Sequence, residues 1–538
     1  MKNLNKFLPI IGATMLLASC NDLDTFPLGD VVTSKEKEEV YEANPDMIEA
    51  AVKAVPAAMF TMMGSYDDFG RLDTDFGYPS LMIMFDSKGM DMPSIDGNYQ
   101  WYTAALTMAD FGDTYYDNLI TWNTWYKLIF NTNALASSID PETENPYMQY
   151  ALGQALAYRA FAYYMLANIY QFTYIGHEQA PTVPVITNEN AVEAATNGTP
   201  LATNEELYAQ VMNDINKAIE LLEEAEAAGQ KRTDKTYINS MVAYGLRARF
   251  NLSMGNWAEA ASDAQTAINM AKASGLAPYT IAQLATPRFS QSSDPSFMWS
   301  VNITESFLGA AAVRSFAGMM GGFITTGYAG KNGYWRRINK KLYAQIPAGD
   351  VRINWFVTPE DGVPPTGITG EYADYVEQRE LPAYTQLKFG PPSAGVWSDI
   401  AATDIPVMRV EEMYLILAEA QGRQSASQGA QTLQSFVQTY RNPSYTCTAG
   451  STDAFIDEIW LQRRIELWGE GFSFYDCKRL EKTINRVGAG FIPDWVFIVE
   501  PTNTCLNYNI PQTEQQGNPM VGAIPNVSQA PVPVKDED

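Results

Sequence analysis

The chain has 538 residues, with 62 acidic residues against 36 lysines and arginines, a formal charge of −26 and a single histidine. That charge repels phosphate backbones and argues against nucleic acid as a partner, and one histidine rules out a His-rich metal site and routes any Ser-His-Asp or Cys-His arrangement through His177. Aromatic side chains make up 12 % of the residues, so flat amphipathic groups for core packing or ligand stacking are plentiful.

At the N-terminus, Lys2 and Lys6 precede a mostly apolar run from Phe7 to Ala18. It is too short to span a bilayer and reads as a signal peptide over residues 1–19. The run Leu17-Ala-Ser-Cys20 resembles the bacterial lipobox, which implies that Cys20 is acylated and becomes the new N-terminus. Residues 20–40 then form a polar, acidic tether, in which Asp22 and Asp24 resemble the acidic signal for export to the outer face of an outer membrane. No later segment approaches 18 consecutive apolar residues, so the lipid is the expected membrane attachment. Three further cysteines, Cys447, Cys477 and Cys505, exclude a dense disulfide framework; a bridge such as Cys447 to Cys505 is compatible with the count but not established by spacing.

Residues 64–102 are crowded with Gly, Asp, Pro and aromatics and read as loops. Trp122, Trp125, Tyr126, Ile129 and Leu135 recur at three- and four-residue steps, predicting an amphipathic helix that ends near Asp140-Pro141. A longer helix follows on Leu152, Leu156, Arg159, Tyr163, Leu166 and Ile169, with alanines between them for close packing. His177 falls in the Gly- and Pro-bearing connection after it, the surroundings of a solvated or capping histidine. Thr203 and Glu206 form a capping-box pattern opening the next helix. Residues 239–272 read as two helices joined at Met254-Gly255-Asn256, with Ala248, Trp257, Ala260 and Ala267 where a tetratricopeptide-like repeat places small and aromatic packing residues. Residues 285–405 are irregular, and 409–441 predict another helix pair. In RRIELWGEG, Arg463, Arg464, Glu466 and Glu470 stand at helical spacing, which predicts ion pairs across turns, with Leu467 and Trp468 buried.

Several phrases in order resemble the SusD/RagB family of outer-membrane nutrient-binding lipoproteins: Ala157–Tyr164 (AYRAFAYY) with Val183-Pro-Val185, Met254–Ala260, Ile405–Arg409 with Ala418-Glu-Ala420, Arg463–Gly471 leading to Phe474-Tyr-Asp476 and Lys478-Arg479, and Ile510–Glu514 with Asn518-Pro519. The resemblance implies a predominantly α fold: a scaffold of tetratricopeptide-like hairpins, mainly 115–275 and 405–480, with long irregular loops and a few short strands at 64–102 and 285–405 carrying the ligand site, all in one domain over 41–538. It also implies a role without catalysis or cofactor: capture of oligosaccharides at the cell surface and their delivery, as a hinged lid, to a SusC-like TonB-dependent transporter.

A neutral glycan needs exposed Trp or Tyr rings rimmed by hydrogen-bonding side chains. The run Asp96-Gly-Asn98-Tyr99-Gln-Trp101-Tyr102 offers both, with Trp101 and Tyr99 to stack and Asp96, Asn98 and Gln100 to hydrogen-bond. A second run, from Tyr328 to Arg337, supplies Tyr328, Tyr334 and Trp335 as rings and Lys331, Asn332 and Arg336 as donors. Asp68, Arg71 and Asp73 form a third group. Asp67, Asp68, Asp73 and Asp75 lack the order of a calcium-binding loop, so no metal is expected. Two other readings stay open: a binder of peptides or another nutrient with the same architecture, and a glycoside hydrolase, which needs only two carboxylates.

Overall fold

The computed structural model describes residues 41, 45–60, 74–94, 101–303, 315–323, 327–390, 403–448, 450–526 and 528–537. Cys20, the tether, Asp68, Arg71, Asp73, Asp96, Asn98 and Tyr99 lie outside the described residues. The principal helices are α1 (Pro45–Ala57), α2 (Tyr78–Lys88), α3 (Tyr116–Ala136), α4 (Pro146–Tyr170), α5 (Asn204–Ala227), α6 (Ser240–Met254), α7 (Trp257–Ala273), α8 (Val410–Gln424), α9 (Ala426–Tyr440), α10 (Thr452–Glu466) and α11 (Ser473–Arg479). Among the described residues the strands form three two-stranded antiparallel sheets: β1 (Pro181–Pro184) with β2 (Leu201–Thr203), β3 (Phe297–Val301) with β4 (Ile405–Arg409), and β5 (Ile484–Asn485) with β6 (Ile498–Val499). The fold is predominantly helical, as the sequence pattern and the resemblance anticipated.

From α3 to α8 each helix packs on the next, and α8 then carries both α9 and α10. Each hairpin buries its apolar stripe against its neighbour, which is how helical repeats share one continuous core. The starts and turns follow local chemistry. Asn145 caps α4, its side-chain oxygen accepting from the Tyr147 and Met148 amides, with Pro146 at the first helical position. Thr203 and Glu206 make the reciprocal capping box at 3.2 and 2.8 Å. The α6–α7 turn runs through Gly255 at φ 81°, a left-handed geometry that favours glycine. Helix α4 is the axis of the core, buried from Gln149 to Tyr170, and its Arg159 makes a two-pronged ion pair with Asp214 of α5 at 2.7 and 2.8 Å.

Residues 274–409 separate α7 from α8 in sequence, yet those two helices touch. The reason is the β3–β4 ladder, which pairs Phe297 with Arg409 and Val301 with Ile405 and so ties off the irregular insertion at its base. The insertion carries its own small apolar cluster of Phe323, Val357, Ile368, Tyr372, Tyr375, Val376, Leu381 and Leu387.

A buried charge clasp holds insertion and scaffold together. Arg352 and Lys388 of the insertion and Arg409 and Arg441 of the scaffold meet Asp350, Glu411, Glu466 and Glu470. Glu466 faces Arg441 at 2.7 Å, Arg409 at 3.2 Å and Arg352 at 3.6 Å. This corrects the expectation of ion pairing across turns of one helix. Glu466 and Glu470 reach other elements, Arg463 pairs with Asp476 at 2.7 Å, and Arg464 pairs with Asp91 at 2.5 Å. Leu467 and Trp468 are buried as anticipated.

Helix α2 is the largest departure from the loop reading of 64–102. Every one of its residues is buried, so it has no polar face and therefore no amphipathic period to betray it. Cys477 and Cys505 are buried free thiols, so the Cys447–Cys505 bridge does not form in this structure.

Asp86, near the end of α2, accepts a hydrogen bond from the Gly471 amide at 2.9 Å. Burial, with nearby Asp91 adding to it, pushes its carboxyl up to about 7 against the opposing Gly471 and Ser473 amides. The folded chain therefore holds this proton to a higher pH than the unfolded chain, whose carboxyl ionises near about 3.9. The associated stability is present below that value and lost as pH rises towards 7. Asp86→Asn is expected to remove up to about one proton of pH dependence from urea unfolding over that window; identical slopes in variant and wild type would refute the assignment.

Candidate functional site

The two aromatic runs that the sequence singles out, more than 200 positions apart, meet in space. The segment that follows Trp335 lies along the chain that follows α2. Ser94 bridges to Arg336, the Arg337 amide donates to Pro93 O at 3.1 Å, and Asn339 reaches Met90 O with its side chain at 2.8 Å and Asp91 O with its backbone amide at 3.1 Å. Tyr334 is tied in by the Ser94 hydroxyl, which donates to its carbonyl at 3.4 Å.

This pairing sets three rings in a row. Trp101 lies 6.3 Å from Tyr328 between ring centroids, and Tyr328 lies 5.6 Å from Tyr334, with interplanar angles of 57° and 44°. All three are half-buried. Tyr328 opens the short helix Tyr328–Asn332, whose exposed Asn332 turns its amide back to Tyr328 O at 2.9 Å.

Tyr102 and Arg336 take a different position from the one their sequence neighbours suggest. Both are buried, at 1 % and 2 % exposure, so they support the row from beneath rather than face a ligand. The Arg336 guanidinium sits 5.0 Å over the Tyr102 ring, and the Tyr102 hydroxyl shares a 2.9 Å hydrogen bond with Ser80 of α2. Burial pushes the Arg336 guanidinium down to about 10, with Tyr102 opposing. Among the described residues, Trp335 makes no ring contact with the row. It packs against the insertion's own apolar cluster, and its indole lies on Gly321, where φ is 73° and an added Cβ would collide with the ring. Ser94 and the 90–94 segment were not singled out by sequence, because nothing in their composition marks a segment that pairs with residues 336–339.

The site as built is an aromatic shelf with hydrogen-bonding neighbours. Among the described residues there is no group of three or more His, Cys, Asp or Glu placed to hold a metal ion. His177 stands apart at the turn after α4, its ring 5.3 Å from Phe172. No helix of the described residues is long and apolar enough to cross a membrane.

Family models match two separate stretches of the chain. A SusD-like family model described as "starch-binding associating with outer membrane" matches residues 82–252, and the model of the SusD family matches residues 384–529. A SusD-like protein of Bacteroides ovatus is 23 % identical over 260 residues, which span 47 % of this chain and only 40 % of that relative's length. Among solved structures, a SusD-like carbohydrate-binding protein from Bacteroides vulgatus superposes with a TM-score of 0.72 at 22 % identity, covering 88 % of this chain and 97 % of the other. A SusD superfamily protein from Bacteroides thetaiotaomicron gives 0.70 at 20 % identity, covering 89 % and 99 %. A laminarin-binding SusD-like protein gives 0.60 at 18 %, covering 88 % and 98 %.

Proposed function

The chain belongs to the SusD/RagB family, and from that premise we propose that it is a glycan-binding lipoprotein of the cell surface, which captures oligosaccharides on the Trp101–Tyr328–Tyr334 row and passes them to a TonB-dependent transporter. The row carries the reading. Three half-buried rings, tilted to one another by 57° and 44°, offer apolar faces against which the C–H faces of successive pyranoses can stack, and exposed Asn332 supplies an amide nearby. The acidic composition favours a neutral ligand over a phosphorylated one. The laminarin-binding relative and the starch-binding family description point to glucans as the first class to try.

In this reading the acylated Cys20 and the tether of residues 20–40 keep the protein at the outer membrane, and the tether lets it swing as a lid over the transporter pore. The protein binds and releases without turnover. A glycan microarray probed with the chain, followed by an assay for new reducing ends on each bound glycan, tests both parts. The expected result is binding to a defined set of oligosaccharides with no new reducing ends. Binding confined to peptides would overturn the ligand class, and sugar release abolished by one Asp or Glu substitution would make the protein a hydrolase.

A further inference from the structure

A second group of rings lines a cleft that the Trp101 row does not touch, on residues that the functional reading leaves unused. Glu49, Val52 and Lys53 of α1, Tyr147 and Tyr150 in the first turns of α4, and Gln230, Lys231, Thr233 and Tyr237 from the α5–α6 connection enclose a cleft of about 520 Å³. It shares Lys53 and Tyr237 with an adjoining cavity of about 220 Å³ that runs on to Trp299 and Asn302. The larger volume lies in the range of small-ligand sites, roughly 300–1,000 Å³. Neither cavity is lined by Trp101, Tyr328 or Tyr334.

Its three tyrosines are arranged unlike those of the core next to it. In α4, Tyr163 donates to Ile186 O at 2.7 Å, Tyr164 shares a 3.0 Å hydrogen bond with Ser253, and Tyr158 donates to Thr236 O. The hydroxyls of Tyr147, Tyr150 and Tyr237 make no hydrogen bond to a described residue. Their rings are grouped: Tyr147 and Tyr150 lie nearly parallel with centroids 6.2 Å apart, and Tyr150 and Tyr237 are 6.4 Å apart. Burial, foremost, holds all three phenols above their ordinary range, so each is a neutral hydroxyl able to donate or accept. At the rim, Lys53 and Glu49 pair with each other, which leaves that edge polar but locally balanced.

An apolar ligand would strand these hydroxyls, and an anion would have to displace Glu49 from Lys53. A neutral pyranose matches the cleft on both counts, with ring faces for its C–H surface and phenols and the Gln230 amide for its hydroxyls. We propose that the cleft walled by Tyr147, Tyr150 and Tyr237 is a second saccharide-binding site, which holds another stretch of neutral oligosaccharide independently of the Trp101 row. The proposal rests on the glycan-binding reading above and gives it a second contact point, so that a long chain held at both sites dissociates more slowly than one held at either.

The test starts from the hexasaccharide that binds the wild-type chain best on a glycan microarray, titrated calorimetrically into wild type, Tyr147→Ala, Gln230→Ala and Trp101→Ala. Two sites are expected in the wild type. Tyr147→Ala should abolish one and Gln230→Ala weaken the same one about fivefold to tenfold, with the other site unchanged; Trp101→Ala should spare the cleft site. Should Tyr147→Ala fail to fold, Gln230→Ala on the turn after α5 and Tyr147→Phe, which keeps the ring, carry the measurement. One wild-type site that is insensitive to every cleft variant, or two sites neither of which responds to them, overturns the cleft and leaves the row standing. A wild-type chain that binds no glycan on the array overturns both.

Discussion

Trp101→Ala is expected to weaken binding of the best oligosaccharide by roughly 1–3 kcal/mol, about 5-fold to 150-fold in Kd, while the melting temperature stays near that of the wild type. The reasoning is geometric. Trp101 ends the ring row and is half-buried, so truncating it removes a stacking face from the ligand side while Tyr102, Arg336 and Ser80 continue to hold the backbone from below. Tyr334→Ala should act in the same direction, since Tyr334 forms the other end of the row. Trp335→Ala should behave differently: its indole is laid on Gly321 and packed into the insertion's cluster, so a loss of thermal stability is expected there alongside any loss of affinity. Calorimetric titration with parallel melting curves separates the cases. Unchanged affinity in both Trp101→Ala and Tyr334→Ala would remove the row from the binding site.

Glu466→Gln is expected to cost about 3–5 kcal/mol of unfolding free energy, as breaking a buried ion pair from one side generally does. The carboxylate lies fully buried among three guanidiniums, those of Arg441, Arg409 and Arg352. Burial alone would push the Glu466 carboxyl up. The guanidiniums, Arg441 foremost, more than reverse this and hold it far below the usual carboxylate range. Because the folded-state value is depressed, the contribution is present above the unfolded value, about 4.3, and is lost as pH falls below it. Urea unfolding at pH 7 should show the full deficit, and the gap between variant and wild type should narrow in acid. Removing a positive partner as well, in Glu466→Gln with Arg441→Gln, should recover part of the loss because fewer unpaired cations remain. Coincident unfolding midpoints for Glu466→Gln and wild type at pH 7 would refute the clasp as a stabilising unit.

Three of the long helices were legible because they are half-buried, whereas α4, buried from Gln149 to Tyr170, was legible from its length of 25 residues rich in alanine and leucine, which the 11 residues of α2 lack. α3, α5 and α7 carry one apolar face and one wet face, and that contrast is what a three- and four-residue period detects. The same logic explains the miss at α2, where burial on all sides erases the contrast. Charge was read only as far as sequence spacing reaches. Arg463 and Glu466 look like partners on one helix, whereas Asp476, Arg409 and Arg352 are brought to them by turns and by the insertion. The candidate shelf was legible as composition, Trp and Tyr set among Asp and Asn, but the side each ring would show was not. Whether Tyr102 or Trp101 faces outward is decided by Ser80 and Arg336, which belong to other segments. The Tyr147 cleft left no trace in any single run, since its walls come from three segments separated by about a hundred residues each.

The β3–β4 ladder makes the insertion an excursion that begins and ends at one place. Val301 and Ile405 are paired residues of adjacent strands, so the insertion leaves and re-enters the scaffold at neighbouring points, and a tight hairpin turn could in principle close the gap. Loops between them that touch neither the clasp of Arg352 and Lys388 nor the pairing of residues 336–339 with the 90–94 segment can lengthen or shorten with little demand on the helices outside. Such an arrangement lets a lineage trade one recognition surface for another while the helical body evolves under its own, separate constraints.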